Sequence, residues 1–192
     1  MKRRFFWLIS ALLLALSAPG IVRAQMGSGG LMQLPDTEFL EQVKQGRTEE
    51  VNRQIIRGQS PNTSDANSRT ALMYAAAGGY VDIIQLLVKN KANLRMKDKQ
   101  GNSALYWAVA SGHDEAVEAL LQLGAPPNDP DRQGTTPLMV ASRRGFEGAV
   151  RQLLAAKADV NLTDHTGRTA LMWSKESRNP QVQKLLLAAG AR

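Results

Sequence analysis

The hydrophobic positions of this chain recur with a period of 33 residues. A short phrase with one polar residue followed by apolar ones appears four times, as TALMYAA from Thr70, SALYWAV from Ser103, TPLMVAS from Thr136 and TALMWSK from Thr169. In the first three units a glycine follows the phrase, and a second apolar segment with helical spacing follows the glycine. A fixed period of this size indicates a repeat architecture, in which each unit contains two short helices.

The residues at the ends of each phrase predict where the first helix begins and ends. A threonine or serine at its start can accept a hydrogen bond from an unpaired amide, and Pro137 fits a first helical turn. Gly79, Gly112 and Gly145 can adopt a positive φ and end the helix. The apolar strip of the second helix cannot be buried within one unit, so the repeats are predicted to be stable only as a stack.

An aspartate precedes a glycine-containing turn before each phrase, at positions 65, 98, 131 and 164. The whole unit resembles the ankyrin repeat, whose pattern D-x-x-G-x-T-P-L-H-x-A-A-x-x-G-x-x-x-x-V-x-x-L-L-x-x-G-A-D-x-N is matched most fully at 131–161. The resemblance extends over roughly 36–192. It implies an all-α solenoid of helix-turn-helix units, linked by β-turn or hairpin fingers.

The register of the repeats divides the chain into five predicted units. They are an N-terminal capping repeat with a polar outer face, three full repeats and a C-terminal capping repeat, at 36–65, 66–98, 99–131, 132–164 and 165–192. Pro126 and Pro127 replace the usual end of the second full repeat. Because adjacent prolines remove backbone donors and stiffen the chain, we expect an irregular turn there.

The first 24 residues are predicted to be a secretory signal peptide. A basic start leads into an apolar run, Pro19-Gly20 follows, and Val22-Arg23-Ala24 suits cleavage after Ala24. The alternative is an uncleaved membrane anchor, but the apolar run of about 14 residues is shorter than the roughly 20 that span a bilayer. Residues 25–35 are glycine-rich and predicted to be a flexible lead-in. These features favour the periplasm of a Gram-negative bacterium.

The net charge of +7 does not by itself indicate a nucleic-acid partner. Four basic residues and no acidic ones lie in residues 1–24, which leaves 20 basic and 17 acidic residues, a net charge of +3, in the remainder. Those charges are interspersed, so we expect no nucleic-acid binding. The absence of cysteine excludes disulfides and thiol chemistry.

No sequence motif predicts an enzyme. The chain lacks a G-x-S-x-G elbow, a phosphate loop and a dinucleotide fingerprint. Two histidines are too few for a metal-ligand cluster, and His113 is predicted to bond the backbone of a neighbouring loop, while His165 is placed at a solvent-exposed turn. The recurring aspartates are predicted to be turn formers. We therefore predict no catalytic, cofactor or metal site and no small-molecule substrate.

The departures from the ankyrin pattern indicate where a partner could bind. Methionine or tyrosine replaces the usual histidine of the phrase, which predicts apolar packing, at Met73, Tyr106, Met139 and Met172. The next position forms a series of side chains in the groove that the resemblance implies, Tyr74, Trp107, Val140 and Trp173. Two interpretations of this series remain open, packing between repeats or a partly exposed stripe of interface anchors.

Residues around these aromatic side chains give the predicted surface a basic character. The candidate partner-binding residues are Tyr74, Trp107, Trp173, Arg69, Lys99, Asn102, Arg132, Arg143, Arg144 and Arg168. The basic side chains are either a solvated rim or a surface complementary to an acidic protein, which would raise association rate and specificity.

The chain is similar to the small periplasmic ankyrin-repeat proteins of bacteria. The resemblance implies a non-enzymatic, monomeric protein that binds a partner protein and supports a neighbouring enzyme, for example an oxidative-stress enzyme. It equally implies an immunity-type inhibitor that occludes a toxin. If the signal segment were retained, the protein would be a membrane-tethered scaffold.

Overall fold

The computed structural model describes residues 35–177 and 179–192; the predicted signal peptide and residues 25–34 of the lead-in lie outside this part of the chain. The described residues contain ten helices, α1 (Pro35–Lys44), α2 (Thr48–Ile56), α3 (Ala71–Gly78), α4 (Val81–Lys89), α5 (Ala104–Ser111), α6 (Asp114–Gln122), α7 (Pro137–Arg144), α8 (Glu147–Ala155), α9 (Ala170–Ser174) and α10 (Pro180–Ala188). None of these helices is long and apolar enough to cross a membrane.

The helices form two layers. Each odd-numbered helix packs on the next odd-numbered one, and each even-numbered helix packs on the next even-numbered one. Within the described ranges extended pairing is limited to two isolated bridges, Ser64 with Thr70 and Thr163 with Thr169. The prediction of an all-α solenoid is therefore confirmed.

Local sequence signals fix the starts of α3, α5, α7 and α9 and the ends of α3, α5 and α7. The hydroxyl of Thr70 accepts a hydrogen bond from the amide of Met73 at 3.3 Å, and Ser103, Thr136 and Thr169 do the same one repeat further on. Gly79 ends α3 with a φ of 71°, in the left-handed region, and the glycines 33 and 66 residues later match it. The predicted helix starts and stops are confirmed.

Two columns of equivalent residues hold the layers together. One leucine from each of four even-numbered helices is fully buried, at Leu87, Leu120, Leu153 and Leu186. In the other layer the equivalent column is small and also fully buried, at Ala75, Ala108, Ala141 and Ser174. Small side chains let neighbouring helices approach closely, since the distance between helix axes depends on the residues at the contact.

The prediction of an irregular turn at Pro126 and Pro127 is wrong. Residues 123–136 follow the same sequence of turns as 90–103. Pro127 occupies the first corner of a turn, where the fixed φ of proline is favourable. The stiffening effect of proline thus supports the regular conformation.

The effect of Pro126 is a missing hydrogen bond between two repeats. At three other junctions an asparagine side chain accepts a bond from a backbone amide 31 residues later, in the pairs Asn62 with Asn93, Asn128 with Asp159 and Asn161 with Arg192. Proline has no amide hydrogen, and the residue 31 positions before it is Arg95. The Lys97 ammonium instead donates to the carbonyl of Pro130, at 2.8 Å, across this junction.

Turns between the repeats form a row of four fingers, at 65–69, 98–102, 131–135 and 164–168. In each finger the leading aspartate accepts two backbone amides through Oδ1, from the residues two and four positions later. Backbone bonds also join neighbouring fingers, such as Lys99 N to Asn67 O at 2.9 Å. The predicted turn-forming role of the aspartates is confirmed.

Candidate protein-binding face

Each finger aspartate has a second oxygen, and three of the four use it to hold an aromatic ring. The ring donor lies nine residues after the aspartate, and the donor–acceptor distances are 2.7 Å for Tyr74 Oη to Asp65 Oδ2, 3.0 Å for Trp107 Nε1 to Asp98 Oδ2 and 2.8 Å for Trp173 Nε1 to Asp164 Oδ2. We call each such pair a rung, numbered by finger. The surface formed by the four fingers and helices α3, α5, α7 and α9 is called the ladder face.

Arginine side chains cover the faces of the rung rings. The guanidinium carbon of Arg69 lies 3.8 Å from the ring centroid of Trp107 and 5.4 Å from that of Tyr74, and so joins rungs 1 and 2. Arg143 and Arg168 lie 5.1 and 4.6 Å from the ring centroid of Trp173. Such contacts contribute about 0.5–2 kcal/mol each, depending on exposure. The rings therefore pack within the solenoid and remain partly exposed, and their role as interface anchors stays a prediction.

Rungs 1 and 4 lower the pKa of their aspartates, Asp65 and Asp164. Burial raises the pKa of Asp164, but hydrogen bonds from Thr166, Arg168 and Trp173 outweigh it, and the pKa falls to about 2. Asp65 shows the same balance: burial raises its pKa, while the bonds from Tyr74 and two backbone amides lower it further. Rungs 1 and 4 are therefore built on ionised carboxylates at neutral pH.

This pKa predicts an acid-dependent loss of stability. The depressed pKa of Asp164 stabilises the fold at pH values above its ordinary 3.8, and the contribution is lost as the pH falls through about 2. We expect Asp164→Asn to lower the melting temperature at neutral pH and to make its fall between about pH 4 and pH 2 shallower. Thermal unfolding followed by circular dichroism measures both.

The control for this pH effect is Asp82→Asn. Asp82 is exposed, and its side chain makes no hydrogen bond within the described ranges. The Asp82→Asn substitution removes one carboxylate without removing a rung. The fall of its melting temperature between about pH 4 and pH 2 should therefore match that of the unchanged chain. If the melting temperature of Asp164→Asn fell as steeply at low pH as that of the unchanged chain, the role given to rung 4 would be contradicted.

Three predicted cations are free on the ladder face. Lys99, Arg132 and Arg144 are exposed and make no ion pair within residues 35–177 and 179–192. Arg168, in contrast, both stacks on Trp173 and donates to Glu176 at 2.9 Å. The basic character of this face therefore comes from the three free side chains together with Arg69 and Arg143, which stack on rings without an ion pair.

The structure does not bring Asn102 to the surface. Its side chain is 7% exposed, and its amide Nδ2 lies 3.2 Å from Asp98 Oδ2, inside its own finger. Asn102 thus supports the turn that carries rung 2. A contact with a partner is open to its neighbour Lys99 instead.

The positions that replace the ankyrin histidine do not all pack alike. Met73 and Met139 are buried, as the prediction of apolar packing requires, whereas Met172 is 47% exposed. Tyr106 is half-buried and meets the edge of Trp107 at a ring-centroid distance of 6.2 Å. Burial raises the pKa of Tyr106, and the charge of Asp131 raises it further, so the phenol stays protonated at neutral pH.

His113 bonds the backbone of a neighbouring repeat and His165 is solvent-exposed, as predicted. Nε2 of His113 lies 3.1 Å from the carbonyl oxygen of Ala77, which joins two repeats. His165 is exposed in the fourth finger. The described residues contain no group of three His, Asp or Glu side chains that could hold a metal ion.

Rung 3 is open, a feature that the residue-by-residue sequence analysis missed. Position 140 is equivalent to positions 74, 107 and 173, which carry the rings, but it is a valine that is 1% exposed. A cleft of about 420 Å³ lies between the third and fourth fingers. Six of the residues that line it are Tyr106, Asp131, Arg132, Arg143, His165 and Trp173. We call it the third-rung cleft; the interruption at Val140 was the signal that could have located it.

Comparison with known proteins identifies one family. A family model described as ankyrin repeats (three copies) matches residues 40–131 and 123–192. No curated protein matches the chain significantly in sequence.

Proposed function

The chain belongs to the ankyrin-repeat family, a family of protein–protein interaction modules, and from this premise we propose that it binds an acidic partner protein through the ladder face. We propose further that it is exported to the periplasm, acts there as a monomer and catalyses no reaction. Export is supported by the signal-like sequence of residues 1–24, and a non-enzymatic role by the family, whose members are typically binding modules.

The observation that carries the proposal is the combination of fixed rings and free cations on one surface. The rings of Tyr74, Trp107 and Trp173 are held at one edge by an aspartate and on one face by a cation. A side chain that is already ordered loses little entropy when a partner covers it. Tyrosine and tryptophan are also enriched among the residues that dominate interface energetics.

The free cations determine the chemistry of the proposed partner. Lys99 and Arg132 extend from neighbouring fingers, and Arg144 lies at the end of α7, so positive charge borders the rings on two sides. Acidic side chains on a partner would pair with these cations at the rim of the interface. Such rim charges act mainly on the association rate and on specificity.

Reversing the three free cations is the test of this function. We expect Lys99→Glu, Arg132→Glu and Arg144→Glu together to reduce partner capture by about tenfold or more, because like charges would then face each other. The protein, with an affinity tag at its C-terminus, is expressed in its own host, and captured proteins are quantified by mass spectrometry.

The matched control carries the same charge change on other elements. Arg57→Glu, Lys89→Glu and Lys184→Glu alter exposed cations of the even-numbered helices and their ends, none of which makes an ion pair in the described part of the chain. Equal loss of the partner in both triple variants would contradict binding at the ladder face.

The same purified protein tests export. It should begin at Gln25 and come from the periplasmic fraction; a retained signal segment in the membrane fraction would contradict export and favour a tethered scaffold.

A further inference from the structure

The third-rung cleft lies where the chain supplies an acceptor, Asp131, without the matching donor. In rungs 1, 2 and 4, Oδ2 of the aspartate receives a ring N–H or O–H. In the third finger, Oδ1 of Asp131 binds the amides of Gln133 and Thr135, at 2.8 Å each. Its Oδ2 makes no hydrogen bond within the described residues, because Val140 has no donor.

The walls of the cleft suit an aromatic ring. Tyr106 and Trp173 contribute aromatic side chains from α5 and α9, and Arg143, which also lines the cleft, lies over the Trp173 ring. The Tyr106 hydroxyl makes no hydrogen bond within the described residues either. A volume of about 420 Å³ lies within the range of about 300–1,000 Å³ typical of pockets that bind small groups.

We propose that the third-rung cleft receives one tyrosine or tryptophan side chain of the partner protein, whose O–H or N–H donates to Oδ2 of Asp131 and completes rung 3 from outside. This inference rests on the proposed function, because it names the anchor of the partner that the ladder face binds. The chain itself contains the same arrangement three times, with a tyrosine in rung 1 and a tryptophan in rungs 2 and 4.

Charge and polarity favour a tyrosine or tryptophan over cationic and purely apolar side chains. An arginine or lysine could donate to Asp131, but the lining already balances its two carboxylates, Asp131 and Asp164, with two guanidiniums, so a further cation would gain no net attraction. A leucine or phenylalanine would cover the carboxylate without giving it a hydrogen bond, and burying an unpaired charge is unfavourable. A neutral ring with one polar hydrogen avoids both costs.

A titration with amino acid amides tests the cleft without a known partner. The probes are N-acetyl-tyrosinamide and N-acetyl-tryptophanamide, added to the ¹⁵N-labelled full chain and followed by amide chemical shifts. We expect saturable shifts at millimolar probe concentrations, centred on the amides of Gln133 and Thr135 and on the indole N–H of Trp173. N-acetyl-phenylalaninamide and N-acetyl-argininamide are the comparison probes, and both should bind more weakly than the tyrosine probe.

Two variants separate the carboxylate from the space. Asp131→Asn keeps an oxygen for the two backbone bonds but replaces Oδ2 with a donor, so the tyrosine probe should bind about tenfold more weakly or worse. Val140→Trp supplies the ring from within the chain and should abolish probe binding. Its other amide chemical shifts should stay those of the folded chain. Both variants also report on the partner found by tagged capture, which should be retained less by Val140→Trp than by the unchanged chain.

Several results would overturn the proposal. They are equal binding of the phenylalanine and tyrosine probes, tighter binding of the arginine probe, unchanged binding in Asp131→Asn, or no saturable shift at the cleft. A partner captured equally by Val140→Trp and the unchanged chain would leave the proposed function standing and remove this anchor. If the tyrosine probe binds as described but no partner is captured, the proposed function fails and the cleft remains a site for such rings.

Discussion

Replacing Leu186 with alanine is expected to lower the free energy of unfolding by about 3 kcal/mol, whereas Leu187→Ala, one residue later, is expected to change it by less than about 0.5 kcal/mol. Leu186 is 0% exposed and ends the leucine column on α10, while Leu187 is 57% exposed. The two substitutions remove the same atoms from the same helix. The difference between them therefore measures burial alone. Urea unfolding followed by far-UV circular dichroism gives both values.

The location of Leu186 adds a second readout. α10 packs on α8 and α9, so the loss of this contact acts first on the C-terminal capping repeat. Repeat proteins derive much of their stability from contacts between neighbouring units, and weakening one end promotes opening from that end. Equal, small effects of the two substitutions would contradict the placement of α10 against the leucine column.

Asp98→Ala is expected to lower the free energy of unfolding by about 3 kcal/mol, more than Asp131→Ala in the third finger. Asp98 is 5% exposed and accepts four hydrogen bonds, from the amides of Gln100 and Asn102, the side-chain amide of Asn102 and the Trp107 indole. Removing a charged acceptor leaves buried donors unpaired, which is costly. Chemical denaturation of the two variants, monitored by circular dichroism, measures the difference.

The matched variant is Asp131→Ala, in the third finger. Asp131 is half-buried and accepts only the two backbone bonds, so we expect a loss of about 1 kcal/mol. Equal losses in the two variants would show that the Oδ2 bonds contribute nothing to stability. Such a result would also weaken the expectation that a donor from outside binds at Asp131.

Sequence alone predicted those parts of the fold that depend on residues close together along the chain. The cap residue Thr70 and the stop residue Gly79 act within one helix, so their roles follow from local geometry. The 33-residue register then fixed which faces stack. The sequence predicts the aspartates as turn formers and the rings as a stripe in the groove, without predicting that the two are hydrogen-bonded to each other. Their pairing depends on how each finger folds back over the first helix of its own repeat.

Three features could not be obtained from the sequence in this way. The sequence predicts Asn102 at the surface, but its side chain turns inward and donates to Asp98 Oδ2, the oxygen that also accepts from the Trp107 indole. Pro126 was judged by the donor it lacks, while the turn geometry that proline favours decided the conformation. The third-rung cleft lies at the finger whose ring position is a valine, Val140, and its lining by Tyr106 and Trp173 depends on how separate helices pack.

The rungs have a consequence for how binding specificity could change within such a chain. Each donor lies only nine residues after its acceptor along the chain, so opening or closing a rung leaves the hydrogen bonds of the other rungs and the helix register intact. The identity of the single residue at position 140 thus selects between a sealed wall and a receptor for a foreign ring. Point substitution at the equivalent position of any repeat would move that receptor along the solenoid in steps of one unit, without redesign of the scaffold.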